Sequence, residues 1–151
     1  MARGEIHTTV ERMARECVGN QLRLLSRVVT GIYERELRPL KLTASQMVIL
    51  ALTAQQGRVL SVELSKTLKM DASTVSRNVE RMRARGWLEQ VPGKDERSRP
   101  FRLTASGKKM LRDASAAWEK AQAQAVGLVG DEGVALLRRM SKELVAGIST
   151  D

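Results

Sequence analysis

Hydrophobic residues recur along most of this chain at spacings of three and four, the period of helices packed on one side. Between about Val10 and Leu37, the residues Val18, Leu22, Leu25, Val29, Ile32 and Tyr33 keep that period. They predict one helix, longer than a single lobe's core can cover. Residues 1–10 are mixed and weakly periodic and predict an arm. Arg38 precedes Pro39 and is disfavoured in the helical region, so the helix ends there. Thr43 and Gln46 have capping-box spacing and open a helix to about Gln56, with Met47, Leu50 and Ala51 inward and Gly57 as its stop. Ser61 can cap a short helix over Val62 to Leu68, where Leu64 and Leu68 lie one turn apart.

The next stretch, 71–85, has both ends written in it. Asp71 can cap its first turn, and Gly86 can leave its last turn in the left-handed conformation. Val75, Val79 and Met82 form one stripe. Ser73, Arg77 and Ala84 project opposite, with Thr74, Ser76 and Arg81 on the flanks, so the outward face holds donors and cations and no large apolar group. A short helix, a tight turn and a second helix with a polar outer face is the helix-turn-helix plan, in which the second helix enters the major groove. An ordinary helical hairpin has the same outline. The residues after Gly86 favour the helix-turn-helix: 87–91 alternate apolar and polar, Pro92-Gly93 interrupts, a charged tip intervenes, and Phe101-Arg102-Leu103 returns. Two strands alone are marginal, so this ribbon must lean on the helices, with Trp87, Val91, Phe101 and Leu103 inward. Placed after such a helix, it is a wing.

Thr104 can cap a helix to about Val129, with Leu111, Ala114, Trp118, Ala121, Ala125 and Leu128 along one face. Gly130 breaks it, and Asp131 caps a last helix in which Val134, Leu137, Met140, Leu144 and Ile148 repeat at three and four. Together with the first helix these elements have more apolar face than a winged lobe can cover, so a second copy of the chain is expected to complete a symmetric dimer. The fold class is mostly α with a small two- or three-stranded β wing: a winged helix-turn-helix lobe plus a helical dimerisation region.

Composition narrows the function. The 151 residues include only 3% aromatics, so the core must be built from Leu, Val, Met, Ile and Ala. The net charge is +9, and fourteen Lys/Arg against six Asp/Glu between Arg58 and Arg112 place +8 of it in and around the lobe. A concentrated positive field attracts phosphate chains, whereas a solvated basic surface is the plainer alternative. No catalytic set is visible. His7, the only histidine, lies in the N-terminal arm, and neither a phosphate-binding nor a dinucleotide glycine pattern occurs; Gly93 and Gly107 stand alone. No cofactor and no metal site are expected, since one His and one Cys cannot form a zinc-ligand cluster. Cys17 is the only cysteine, so no intrachain disulfide can form. No leader pattern opens the chain and no apolar stretch reaches about 18 residues, so a cytoplasmic protein without a membrane partner is expected. A protein-binding winged helix is the remote rival, and the basic outer face counts against it.

The order of these parts resembles the MarR family of bacterial transcriptional regulators from Val10 to Ile148. Leu37-Arg38-Pro39-Leu40-Lys41-Leu42-Thr43 is similar to the family's link between its first two helices, with Lys41 where a glycine is frequent. Ala72-Ser73-Thr74-Val75-Ser76-Arg77-Asn78-Val79 resembles the recognition-helix core, and Arg85-Gly86-Trp87-Leu88 the exit into the wing. Asp95-Glu96-Arg97 followed by Leu103-Thr104 resembles the wing signature. The resemblance implies a single MarR-like domain over 1–151, with a DNA-binding lobe at approximately 43–103 and dimerisation helices at approximately 10–37 and 105–149. It implies a homodimer that represses transcription from a palindromic operator in double-stranded DNA. Ser73, Thr74, Ser76 and Arg77 would meet base edges and phosphates in the major groove, Arg81 and Arg99 would add cations, and Arg97, aimed by Asp95, would reach the minor groove. It further implies a small-molecule effector, often an aromatic anion, for which Arg15, Tyr33 and Trp118 have suitable chemistry. In peroxide-sensing relatives a cysteine early in the first helix is oxidised, which makes Cys17 either a redox sensor or a small buried hydrophobe.

Overall fold

A computed structural model describes residues 3–93 and 99–148, with side chains over 8–93 and 99–143. Asp95 and Arg97 lie outside the described residues. The elements are α1 (Arg3–Glu16), α2 (Val18–Leu37), a 3-10 turn (Arg38–Leu40), α3 (Ala44–Gln56), α4 (Ser61–Leu68), α5 (Ala72–Ala84), β1 (Leu88–Gln90), β2 (Phe101–Leu103), α6 (Ala105–Asp113) and α7 (Ser115–Ile148). This is the mostly helical winged fold expected, with a two-stranded antiparallel sheet. No helix among the described residues is long and apolar enough to cross a membrane.

The expected arm is instead helical. α1 runs from Arg3, and Cys17, in extended conformation at φ −65 and ψ 104, separates it from α2 where one helix was expected. Gly19 and Asn20, both poor helix formers, come just after the break. Gln21 donates its side-chain amide to the Arg15 carbonyl at 2.7 Å, satisfying one of α1's open C-terminal acceptors. Every side chain described in α1 is exposed, which is why no one-sided pattern announced this helix.

One core joins α3, α4, α5, the sheet and the near ends of α2 and α6. Leu37, Ile49, Leu50, Leu64, Val75 and Met82 are among its fully buried members. The Thr43 capping box forms as expected: Thr43 Oγ1 accepts from Gln46 N–H and Gln46 Oε1 accepts from Thr43 N–H, each at 3.2 Å. Ala51 was expected inward but is exposed, and Ile49 is buried instead, because the buried face of α3 is centred on Gln46, Leu50 and Thr53, two of them polar, and Ala51 lies on the opposite face with Val48 and Gln55. Ser61 does not cap α4. It is the first helical residue, and Glu63 reaches back to accept from Leu60 N–H at 2.7 Å.

At the wing, Trp87 still belongs to the exit from α5, its N–H bonded to the Met82 carbonyl at 2.9 Å. The strand therefore begins one residue later than the alternation suggested, with Leu88 buried opposite Leu103. A third pairing adds to the sheet: Val59 and Phe101 exchange both backbone hydrogen bonds, at 3.1 and 3.0 Å. Gly107, which stood alone in the sequence, is where α6 meets the wing's root. A Cβ there would lie 2.1 Å from the Trp87 carbonyl oxygen. Thr104 caps α6 by accepting from Gly107 N–H at 3.0 Å and itself donates to the Gly86 carbonyl at 2.5 Å.

The expected helix 105–129 is interrupted at Ala114, where Ser115 Oγ donates to the Arg112 carbonyl at 2.7 Å, a back-bond that bends helices. Gly130 then breaks α7 as anticipated, at φ 76 and ψ 158. α2 and α7 pack along each other, linked by Tyr33 to Gln122 and Arg35 to Gln124, and Ile32, Ala121 and Ala125 are buried on these helices. Beyond that seam, Val18, Leu22, Leu24, Val28, Leu128 and Leu137 remain exposed.

Candidate nucleic-acid interface

α5 is fixed before it can present anything. Asp71 Oδ1 accepts from Ser73 N–H at 2.8 Å and Thr74 N–H at 3.2 Å, and Val75, Val79 and Met82 are sunk in the core. The approach to Asp71 is a tight turn at Lys69, whose φ of 51 is left-handed, and Gly86 at φ 70 provides the exit. The Ser73 hydroxyl donates to Asp71 Oδ1 at 2.5 Å. That bond, then the two backbone N–H groups, hold the Asp71 carboxyl below the usual aspartate range. With its proton committed, Ser73 offers acceptor lone pairs to the outside, the complement of a base amino group.

The remaining outward residues stand as the periodicity placed them. Ser73, Ser76, Arg77 and Arg81 are exposed and Thr74 is half-buried. Arg77 Nη2 donates to Thr74 Oγ1 at 3.2 Å, which orients the guanidinium along the helix while leaving most of its donors open. The Ser76 and Arg81 side chains make no hydrogen bond or ion pair among the described residues.

Other arginines nearby are committed to structure. Arg83 pairs with Glu80 at 2.8 Å, and Arg102 pairs with Glu89 across the sheet at 2.8 Å. Arg85 donates to the Lys41 carbonyl at 2.5 Å and lies 4.9 Å over the Trp87 ring, tying α5 to the α2–α3 link. Arg99 is exposed two residues before β2.

Of the three residues suited to an effector, two come together. Tyr33 and Trp118 line a cleft of about 400 Å³ with Val29, Met47, Val48 and Met70, whereas Arg15 is exposed on α1 and is not part of its lining. Tyr33 donates to Gln122 Oε1 at 2.5 Å, and burial raises its phenol above the ordinary value. Cys17 is exposed at the α1–α2 break, not buried. Sequence reasoning missed the Met47, Val48 and Met70 contributions to this cleft, which arise from two segments, α3 and the α4–α5 turn, that periodicity treats separately.

A sequence profile of the MarR family matches residues 40–98, from the end of the α2–α3 link to a point before β2. The structure of a cysteine-to-serine mutant of Escherichia coli MarR in complex with operator DNA superposes with a TM-score of 0.77, at 21% identity, over 88% of this chain and 96% of that one. Bordetella bronchiseptica BpsR, whose DNA binding is regulated by 6-hydroxynicotinic acid, superposes with a TM-score of 0.73 at 29% identity, over 82% and 92% of the two chains. The match over 40–98 and the shared fold make this chain similar to MarR-family proteins. Among curated MarR-family sequences, the multiple antibiotic resistance protein MarR of Salmonella typhimurium is 29% identical over 91 residues, 60% of this chain. That match spans 63% of the length of the Salmonella MarR protein. The profile match ends within the wing, so the faces of α6 and α7 are known from their geometry.

Proposed function

We propose that this protein is a sequence-specific DNA-binding transcriptional repressor that acts in the cytoplasm as a homodimer on a palindromic operator and responds to a small molecule. The observation that carries the reading is α5: a helix buried on one side, capped by Asp71, with an exposed face of hydroxyls and arginines in the most positive part of the chain. Arg77 has a fork of donors matched to guanine O6 and N7, with Ser73, Thr74, Ser76 and Arg81 around it. Asp95, Arg97 and Arg99 are assigned to the wing's DNA contact, with Arg97 in the minor groove. Residues 43–103 form the reading lobe, and 10–37 with 105–149 form the dimerisation region. The exposed apolar residues of α2 and α7 support the dimer. The Tyr33–Trp118 cleft, between the lobe and the dimerisation helices, is the effector site in this reading. No catalytic activity is proposed.

A second reading of the trigger rests on Cys17, whose exposure is what a reactive thiol requires. Peroxide treatment that releases DNA from the parent but not from Cys17→Ser supports it; equal release from both proteins removes it.

The test of the main reading is a fluorescence-anisotropy titration on palindromic duplexes selected from a random pool. Binding is expected to weaken steeply between about 50 and 200 mM salt as counterions are released. Arg77→Ala is expected to lose about 1–3 kcal/mol and to blunt preference for guanine in the half-site. Absence of a selected sequence, or an affinity indifferent to salt, refutes it.

A further inference from the structure

We propose that the open groove between α3, β2 and α6 is a binding site for an organic anion with an apolar body, separate from the Tyr33–Trp118 cleft. The groove has a volume of about 770 Å³ and a mostly apolar surface, within the range of about 300–1,000 Å³ typical of ligand clefts. Ala54, Leu103 and Leu111 line it together with Arg102, Lys108 and Arg112, and no carboxylate is among its lining residues. It therefore pairs apolar surface with three cations, the complement of an amphipathic anion.

The charges are not incidental to α6. Lys108 and Arg112 are one turn apart on the groove side, where like charges repel. On the same helix Lys109 is paired with Asp113 at 2.6 Å. The helix thus neutralises the cation beside the groove and leaves the two within it with no counter-ion among the described residues. Arg102 is held by Glu89 through Nε at 2.8 Å, which leaves its terminal nitrogens as donors. The hydroxyls present are already used: Thr53 donates to the Ile49 carbonyl and Ser115 to the Arg112 carbonyl, both at 2.7 Å. Recognition of a headgroup falls to the cations. The Tyr33–Trp118 cleft, by contrast, has no charged side chain in its lining. A ligand bridging α6 and β2 would also press on the wing's root, since Phe101 and Leu103 belong to the same strand.

The experiment titrates naphthalene-2-carboxylate into the full-length protein by calorimetry, beside the uncharged naphthalene-2-carboxamide. Saturable binding of the carboxylate is expected, with the carboxamide and the double variant Lys108→Gln/Arg112→Gln each at least about tenfold weaker, the effect of losing hydrogen bonds to a charged group. Trp118→Leu removes any contribution of the other cleft and is expected to keep the binding that depends on Lys108 and Arg112. In the parent, amide NMR shifts on adding the carboxylate should centre on Gly57 and Leu111, a readout independent of how the variants fold. No saturable binding, equal affinity for the carboxamide, undiminished binding by the double variant, loss in Trp118→Leu, or shifts centred on Val48 and Met70 each overturn the proposal. So does a double variant that loses DNA affinity alone, because the groove would then be a phosphate contact.

Discussion

Replacing Gly107 by alanine sets two physical effects against each other. Helix propensity alone favours alanine over glycine by about 1 kcal/mol. The structure predicts the opposite sign, because the new Cβ would stand 2.1 Å from the Trp87 carbonyl oxygen and 3.0 Å from its carbon, where the nearest obstacle is backbone. Real Cβ contacts essentially never fall below 3.0 Å, so α6 and the wing's root must separate by roughly 1 Å. That separation costs about 1–3 kcal/mol as overpacking, and a rigid carbonyl places it at the upper end. It also strains the Thr104 cap, which bonds Gly107 and Gly86 together, a contribution of about 1 kcal/mol. Net destabilisation of about 2–3 kcal/mol is expected. Urea denaturation at one fixed chain concentration measures it, since a dimer's midpoint depends on concentration. Gly127→Ala is the control: it is helical and meets nothing within 4 Å, so it should gain up to about 1 kcal/mol. A Gly107→Ala protein as stable as the parent would refute the close approach.

Further expectations concern the reader and the dimer. Arg97→Ala should weaken operator binding with little change in melting temperature, most strongly on sites with A·T-rich flanks where the minor groove is narrow; equal affinities on A·T-rich and G·C-rich flanks would exclude that contact. Sedimentation at micromolar concentration should show a dimer, and a stable monomer there would leave the exposed apolar residues of α2 and α7 unexplained. Asp71 should stabilise the protein in a pH-dependent way. Its folded-state carboxyl titrates below the ordinary aspartate range, so the stabilisation is present above that range and is lost as pH falls through the depressed value. The melting-temperature advantage of the parent over Asp71→Ala should therefore be full at neutral pH and shrink in acid; an advantage unchanged by acid contradicts the capping role.

What could be foreseen in the sequence was locally encoded. The buried stripe and exposed face of α5 arise from a period of 3.6, and the Asp71 and Thr43 caps need only residues within one turn. Lys41, which stands where glycine is frequent, has the left-handed φ of 53 that explains the preference. Features set by tertiary packing were not foreseeable. The buried face of α3 includes the polar Gln46 and Thr53, so a reading by apolar residues alone chose Ala51 over Ile49. α1 gave no signal because its described side chains are all exposed. Val59 pairs with a strand far along the chain, and Gly107 is required by the carbonyl of the distant Trp87, facts that no local pattern contains. At the candidate site, the exposed set on α5 was legible, but the commitment of Ser73 to Asp71 and of Arg85 to Lys41 and Trp87 was not.

The Val59–Phe101 pairing gives the lobe a clasp. It joins the start of the α4 segment to the return strand of the wing, so the whole of α4, α5 and β1 lies in a loop closed at its base by two backbone hydrogen bonds. Opening of α4, α5 and β1 as a piece must release that clasp, whereas local parting of β1 from β2 at Gln90 need not. The Val59 and Phe101 amides should accordingly exchange with solvent deuterium together, at the rate of the larger cooperative opening, and apart from the amides nearer the tip.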